Sequence, residues 1–312
     1  MKPKVSVVLP IYNGERTLKY SLESILNQTY TNLEIIACID GTSDGSEKIL
    51  TDANDKRISI IKNPENMGLG RTLNRLIIHT DSEAPYVAIA EQDDWYYPYR
   101  LEKQVEYLEE NPNVGLISGI ADHVSNGVIT NKIPGMLHKG KQYPSDPIEM
   151  LRLNFKYKIK VQQTCMMFRK KIHLENGLYF SQHFHTIPID WLYIMRFALI
   201  AEIKGLNIPL VKKDRSPNRN SATSNLARVY RGDRELIRST YWEFSKILTK
   251  KDYKYAMNTQ IFSEGKTDKF PKYFLRLFEA LLNDPFDPRF IDYFGNLQKR
   301  IKSRLRKYQS VN

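Results

Sequence analysis

The sequence predicts an α/β fold, with a doubly wound, mostly parallel sheet, flanking helices and a helical C-terminal extension. Two patterns carry this expectation. Uninterrupted runs of β-forming apolar residues alternate with stretches in which apolar residues recur every three or four positions, as repeated βαβ units require. The apolar runs are also too continuous for a sheet with one wet face, so the strands belong to a sheet covered on both sides. A length of 312 residues suffices for one large domain with a helical appendage.

Residues 4–9 read as the first buried strand, bounded by Pro10. Asn13 is placed to cap a helix in which Leu18, Leu22, Ile25 and Leu26 share one face while Arg16, Lys19 and Glu23 point elsewhere. Residues 33–39 form a second strand, 40–46 a polar turn ending in a cap, and 47–53 the next helix. The unit then repeats as strand 58–61, loop 63–68, helix 70–79 and strand 86–90. Pro98 suits the first turn of a helix with Leu101, Val105 and Leu108 inward, and residues 114–120 supply another strand. The Gly-, Pro- and Lys-rich residues 125–147 read as a loop or lid, 161–169 as a mixed apolar strand, and 190–203 as a helix with Asp190 in its first turn.

Lys and Arg number 47 against 35 Asp and Glu, a net charge of +12, which favours anionic partners. No zinc-finger spacing, helix-turn-helix pattern or aromatic-basic sheet motif accompanies that charge, so nucleic acid is not the expected partner. The apolar run at 5–11 is too short to span a bilayer and lacks a signal-cleavage pattern, which points to the cytoplasm. Cys38 and Cys165 each lie in an apolar segment and read as buried, reduced thiols.

The chemistry concentrates at Glu91-Gln92-Asp93-Asp94-Trp95, directly after the apolar run 86–90. Crowded carboxylates repel one another and are costly to desolvate, so the cluster is either a solvated acidic turn or a site for a divalent cation held by oxygen ligands. Ligands of open α/β sheets bind beyond the carboxyl ends of the strands. Tyr12, Asp40 and Asp93 all follow predicted strands and are therefore expected to converge on one crevice.

With these elements in order, the chain resembles the inverting family-2 glycosyltransferases, which have the A-type nucleotide-sugar-binding fold. The matching segments are Val5-Ser6-Val7-Val8-Leu9-Pro10-Ile11-Tyr12-Asn13, Ser24-Ile25-Leu26-Asn27-Gln28-Thr29-Tyr30, Asp40-Gly41-Thr42-Ser43-Asp44-Gly45-Ser46, Asn66-Met67-Gly68-Leu69-Gly70 and Glu91-Gln92-Asp93-Asp94-Trp95 with Pro98 and Arg100-Leu101. The resemblance covers about the first two-thirds of the chain and fades after Ser224. It implies a nucleotide-sugar site formed by Pro10, Tyr12, Asp40, Arg71, Glu91, Gln92 and Asp93, with Tyr12 stacking on the base and Asp40 accepting from a base N–H. Asp93 matches the acid that binds Mn2+ or Mg2+, Glu91 stands in for an Asp near the ribose, and Asp94 supports the motif. Asp190, in Ile187-Pro188-Ile189-Asp190-Trp191-Leu192, matches the general base that takes the acceptor proton. On the residues alone, Tyr12 is equally a core-edge aromatic and Asp190 equally a helix cap, while Asp40 in a bare Asp-Gly is more often just a turn residue.

Two departures accompany the match. Leu73 stands where many relatives carry Arg before the Asn that matches Asn74, leaving Arg71 as a substitute from another helical position. The segment Lys212-Lys213-Asp214-Arg215-Ser216-Pro217 lacks the usual His, so Lys213 or Arg215 contacts phosphate or the loop is solvated, the latter being favoured. The implied division is a donor half at 1–120, an acceptor half at 121–224 and a basic helical region at 225–312. In the last of these, Phe290, Phe294, Leu297, Ile301, Leu305 and Tyr308 form an amphipathic stripe among basic residues, so 290–308 either lies on an anionic membrane or packs on 273–282. The implied activity is metal-dependent, inverting transfer of one sugar from a nucleotide-diphospho-sugar, a UDP-sugar above all, to a glycan or lipid-linked glycan in cell-surface or capsular polysaccharide synthesis. A Gln-x-x-Arg-Trp segment, usual in processive relatives, does not occur. The alternatives are a non-catalytic nucleotide-sugar or glycan-binding module, or a nucleotidyltransferase on a similar sheet.

Overall fold

A computed structural model describes residues 2–137, 140–159, 161–181, 189–215, 226–267 and 272–291. The chain divides into two units, Met1–Asn154 with Lys158–Asn225, and Phe155–Tyr157 with Leu226–Asn312. In the first, β1 (Val5–Ile11), β2 (Leu33–Asp40), β3 (Ile58–Asn63) and β4 (Tyr86–Ile89) alternate with α1 (Leu18–Leu26), α2 (Ser46–Asp52) and α3 (Leu69–Ile78). These strands pair in parallel, in the order β3-β2-β1-β4, because each connection returns through a helix. Their registers align Ile11 with Ile39 and Val8 with Ile89, so the loops after β1, β2 and β4 leave one edge of the sheet together.

Beyond β4 the sheet becomes mixed. β8 (Met167–Arg169) lies antiparallel between β4 and β6 (Val114–Ser125), β9 (Glu202–Asp214) runs parallel to β6, and β5 (Asp94–Tyr96) pairs antiparallel with β9. Alternation along β1 divides the core. Val5, Val7, Leu9 and Ile11 join Leu18, Leu22 and Ile25 of α1 with Leu101, Val105 and Leu108 of α4 (Arg100–Glu110). On the other face, Val8 joins Leu73, Leu76 and Ile77 of α3 with Tyr193, Ile194 and Phe197 of α7 (Ile189–Ala198).

Several expected elements are revised. Asn13 has φ of +52° and α1 begins only at Leu18, so Asn13 turns the chain in the left-handed region that Asn tolerates and caps no helix. Pro98 precedes α4, and its carbonyl accepts from the Thr29 amide at 2.8 Å. Residues 125–147 are not one loop, because β7 (Val128–Ile133) pairs back on β6 as a hairpin and α5 (Pro147–Tyr157) begins at the far end. The strand expected at 161–169 contains a 3-10 turn at Gln163–Cys165 and only the short β8, which α6 (Lys170–Glu175) follows directly. The helix expected at 190–203 stops at Ala198, and the chain enters the long β9. Both cysteines are buried and free, with burial pushing Cys38 up to about 11 and Cys165 up to about 12.

The second unit contains α8 (Leu226–Glu243), α9 (Lys250–Thr267) and α10 (Lys272–Asn283). Arg234 of α8 grips Glu264 of α9 through Nε at 2.6 Å and Nη2 at 2.7 Å, and it also pairs with Glu279 of α10. Arg276 joins the same two carboxylates. Of the basic stripe at 290–308, residues from 292 onward lie outside the described residues. No helix among the described residues is long and apolar enough to cross a membrane.

Candidate active site

The loops after β1 and β4 are tied directly. The Gln92 side chain accepts from the Tyr12 amide at 2.8 Å and donates to the Tyr12 carbonyl at 2.8 Å, imitating a strand pairing where the strands have ended. Tyr12 as a residue remains 46% exposed, which leaves an aromatic side chain available to a flat ligand. Gly14 permits this approach, since a Cβ there would sit 2.7 Å from Gln92 Oε1.

Asp40 ends β2 and is 4% exposed. Its Oδ1 accepts from Asn63 Nδ2 at 2.7 Å and the Met67 amide at 2.9 Å, and its Oδ2 accepts from the Gly68 amide at 3.1 Å. The carboxylate therefore pins the loop that enters α3. Arg71 stands exposed in the first turn of that helix, whereas Leu73 is fully buried in the core. Asn74 makes a reciprocal pair of bonds with the Phe180 backbone, at 3.0 and 2.8 Å.

The backbone of Glu91 is braced on two sides. Its amide donates to the Tyr96 hydroxyl at 2.6 Å, and its carbonyl accepts from Ser21 Oγ at 2.8 Å. Arg100, almost fully buried, donates to the Ile89 carbonyl at 2.8 Å and lies over the Tyr96 ring. The acidic loop is thus braced by Ser21 of α1 and Tyr96 of β5, with Arg100 of α4 backing the Tyr96 ring.

Sequence reasoning missed the group that meets these acids. In the β5–β9 register Asp94 faces Lys213 and Trp95 faces Lys212. Alternation sends Lys212 over the Trp95 ring and turns Lys213 inward, where its ammonium lies 2.9 Å from Glu91 Oε2 and 2.9 Å from Asp94 Oδ2. Lys213 is 6% exposed and Asp94 is 0% exposed, which overturns the solvated reading of Lys213; Arg215 is exposed. Burial raises the Asp94 pKa and Lys213 opposes that shift, while the two carboxylates hold Lys213 charged. The Asp94 contact is an ion pair, and neither Asp94 oxygen has a hydrogen-bond partner of good geometry. A signal existed in the sequence, since a buried double acid calls for a cation, but it could not specify Lys213 without the strand register.

Glu91, Asp93 and Asp94 each offer an oxygen within 4.8 Å of the others. Hard oxygen donors suit Mg2+ or Mn2+, and three carboxylates against one ammonium leave negative charge for a divalent ion, so the donor set fits such a metal. Asp190 stands apart from this cluster in sequence and element, in the first turn of α7. Its Oδ1 accepts from the Trp191 amide at 2.9 Å.

The family model described as Glycosyl transferase family 2 matches residues 6–175, more than half of the chain and all of the loops just described except those of α7 and β9. This chain belongs to glycosyl transferase family 2. Among family-2 relatives, an uncharacterized glycosyltransferase of Methanocaldococcus jannaschii is 31% identical over 237 residues, covering 72% of this chain and 75% of that protein. EpsE of Bacillus subtilis, named as a glycosyltransferase, is 37% identical over 158 residues, or 47% of this chain and 56% of its own length, so this match spans little more than half of that relative. The Escherichia coli enzyme WfgD, a UDP-Glc:alpha-D-GlcNAc-diphosphoundecaprenol beta-1,3-glucosyltransferase, is 29% identical over 128 residues, 41% of this chain and 49% of that protein. Residues 1–349 of Staphylococcus aureus TarS in complex with UDP-GlcNAc superpose with a TM-score of 0.62 at 18% identity, covering 89% of this chain and 79% of that one. The Pyrobaculum calidifontis mannosyltransferase PcManGT with GDP-Man and Mn2+ gives a TM-score of 0.57 at 16% identity, covering 90% and 81%. These likenesses establish the fold as the A-type glycosyltransferase fold.

Proposed function

We propose that the family-2 domain transfers one sugar, with inversion, from a nucleotide-diphospho-sugar to a hydroxyl of a glycan or lipid-linked glycan. The observation that carries this reading is the joining of the loops after β1 and β4 by Gln92, which brings an exposed aromatic ring beside the acidic loop. Tyr12 supplies the face on which a base stacks, and Pro10 and Gln92 shape the pocket. Asp40 holds the loop at residues 63–68 through both carboxylate oxygens and is assigned, in addition, as the acceptor of a base N–H; Arg71, in the exposed first turn of α3, is assigned to contact the donor.

Asp93 is the assigned ligand of Mn2+ or Mg2+, with Asp94 in support. When bound, the ion neutralises charge on the departing nucleotide diphosphate. Glu91, paired with Lys213, bounds the ribose side of the site. Asp190 is assigned as the base that accepts the proton of the attacking acceptor hydroxyl. Its place in the first turn of α7 favours the ionised form that this role requires.

A UDP-sugar is the proposed donor, supported by WfgD, a UDP-Glc-dependent glucosyltransferase, and by the TarS complex with UDP-GlcNAc. The lipid-linked acceptor of WfgD supports a comparable acceptor in cell-surface polysaccharide synthesis, with the cytoplasmic basic region 290–308 at an anionic membrane. The test is a panel of nucleotide sugars with Mn2+, followed by release of nucleotide and transfer to glycan acceptors. Asp93→Ala should lower turnover at least about a hundredfold and weaken nucleotide binding, as loss of a major electrostatic stabiliser does. No transfer from any donor, together with nucleotide affinity unchanged in Asp93→Ala, would overturn the reading.

A further inference from the structure

We propose that Lys213 is a positioning residue that restrains divalent-cation binding in the nucleotide-free protein, so that the metal binds strongly only together with a nucleotide diphosphate. This inference rests on the donor-site reading above. It starts from the register of β5 and β9, which sets Lys213 opposite Asp94, and from the buried ammonium that lies between Glu91 and Asp94.

A metal drawing on Glu91, Asp93 and Asp94 together would compete with a cation that already holds two of the three. That cation is covalently tethered, buried and matched to both acids at 2.9 Å, so it cannot be diluted away or replaced by solvent. Repulsion between ammonium and metal acts through a poorly solvated site and is correspondingly strong. Glu91 has the length to meet Lys213 from the loop while its backbone stays fixed by Tyr96 and Ser21. A diphosphate changes the balance by bringing its own oxygens and negative charge, supplying the ligands that Lys213 withholds. Metal and nucleotide must then raise each other's affinity by the same factor.

The experiment uses the full chain, with Mn2+ titrated and the free ion followed by electron paramagnetic resonance, with and without UDP. Lys213→Met should bind Mn2+ in the absence of nucleotide about tenfold or more tightly than the wild type, and should show a smaller gain from UDP. Lys213→Arg should retain the wild-type pattern. Because Lys213→Met leaves Asp94 buried without its cation, the pair Lys213→Met with Asp94→Asn provides a second variant with the wild-type net charge. It should still bind Mn2+ more tightly than the wild type, since Glu91 is released. Unchanged or weaker nucleotide-free Mn2+ binding in the double variant would overturn the proposal, whatever the nucleotide does. Absence of UDP binding to the wild type at any Mn2+ concentration would instead remove the donor-site reading, and with it the nucleotide coupling.

Discussion

Gly41 shows how closely the site depends on single backbone positions. Its φ is +69°, and an added Cβ would lie 2.2 Å from the Asn66 nitrogen and the Glu65 carbonyl carbon. The same loop is bonded by Asp40 through the amides of Met67 and Gly68, so it cannot retreat without giving up those bonds. Gly127 has a similar φ of +79° but meets nothing within 4 Å, which separates backbone strain from collision. Gly127→Ala should cost about 1 kcal/mol and Gly41→Ala at least about 2 kcal/mol in urea unfolding. Gly41→Ala should also raise KM for the donor more than it lowers kcat. Equal losses for the two variants would mean that the loop yields and the close approach is not required.

Among the elements, β1, β2, β4 and their helices were legible because uninterrupted apolar runs and 3.6-residue periodicity agree there with the burial, while the edge strand β3, only partly buried, was legible from its β-branched residues and its place in the βαβ alternation. β9 was not legible. Gly205, Asn207 and Pro209 interrupt its pattern, and its register with β6 shifts on both sides of Ile120, the partner of Pro209. With β9 hidden, Lys213 could be named but not placed, and the acidic loop was assigned a metal without its tethered cation. Likewise Asp40 was legible as a strand-end carboxylate, whereas its bonds to the loop at residues 63–68 depend on tertiary geometry. The helices of the second unit are joined by a similarly long-range feature. Glu264 of α9 is 1% exposed and receives two bonds from Arg234, so Glu264→Ala leaves a half-buried guanidinium short of a partner. That change should lower stability by roughly 3 kcal/mol, and adding Arg234→Met should restore part of the loss. Additive losses in a double-mutant cycle would show that the pair contributes no coupling.

At the scale of the whole molecule, charge is unevenly distributed. Residues 226–312 hold 19 Lys and Arg against 10 Asp and Glu, which accounts for nine of the twelve net positive charges. Within the described part of this region, Leu275, Phe278 and Leu282 line the exposed side of α10, opposite the buried Tyr273, Leu277 and Ala280. An exposed apolar stripe in a region whose sequence carries an excess of cations offers the two components that an anionic bilayer surface attracts, and each basic residue near such a surface contributes about 1 kcal/mol. Full-length protein should therefore float with vesicles containing phosphatidylglycerol and not with phosphatidylcholine alone. Removing the chain from Phe290 onward should reduce that flotation several-fold, as loss of six of the region's basic residues requires. Raising salt toward 1 M shortens the screening length to about 3 Å and should release the protein if attraction to lipid charge dominates. Equal flotation of the full-length and shortened chains would remove the membrane role from residues 290–308 and transfer any remaining binding to the helices before them.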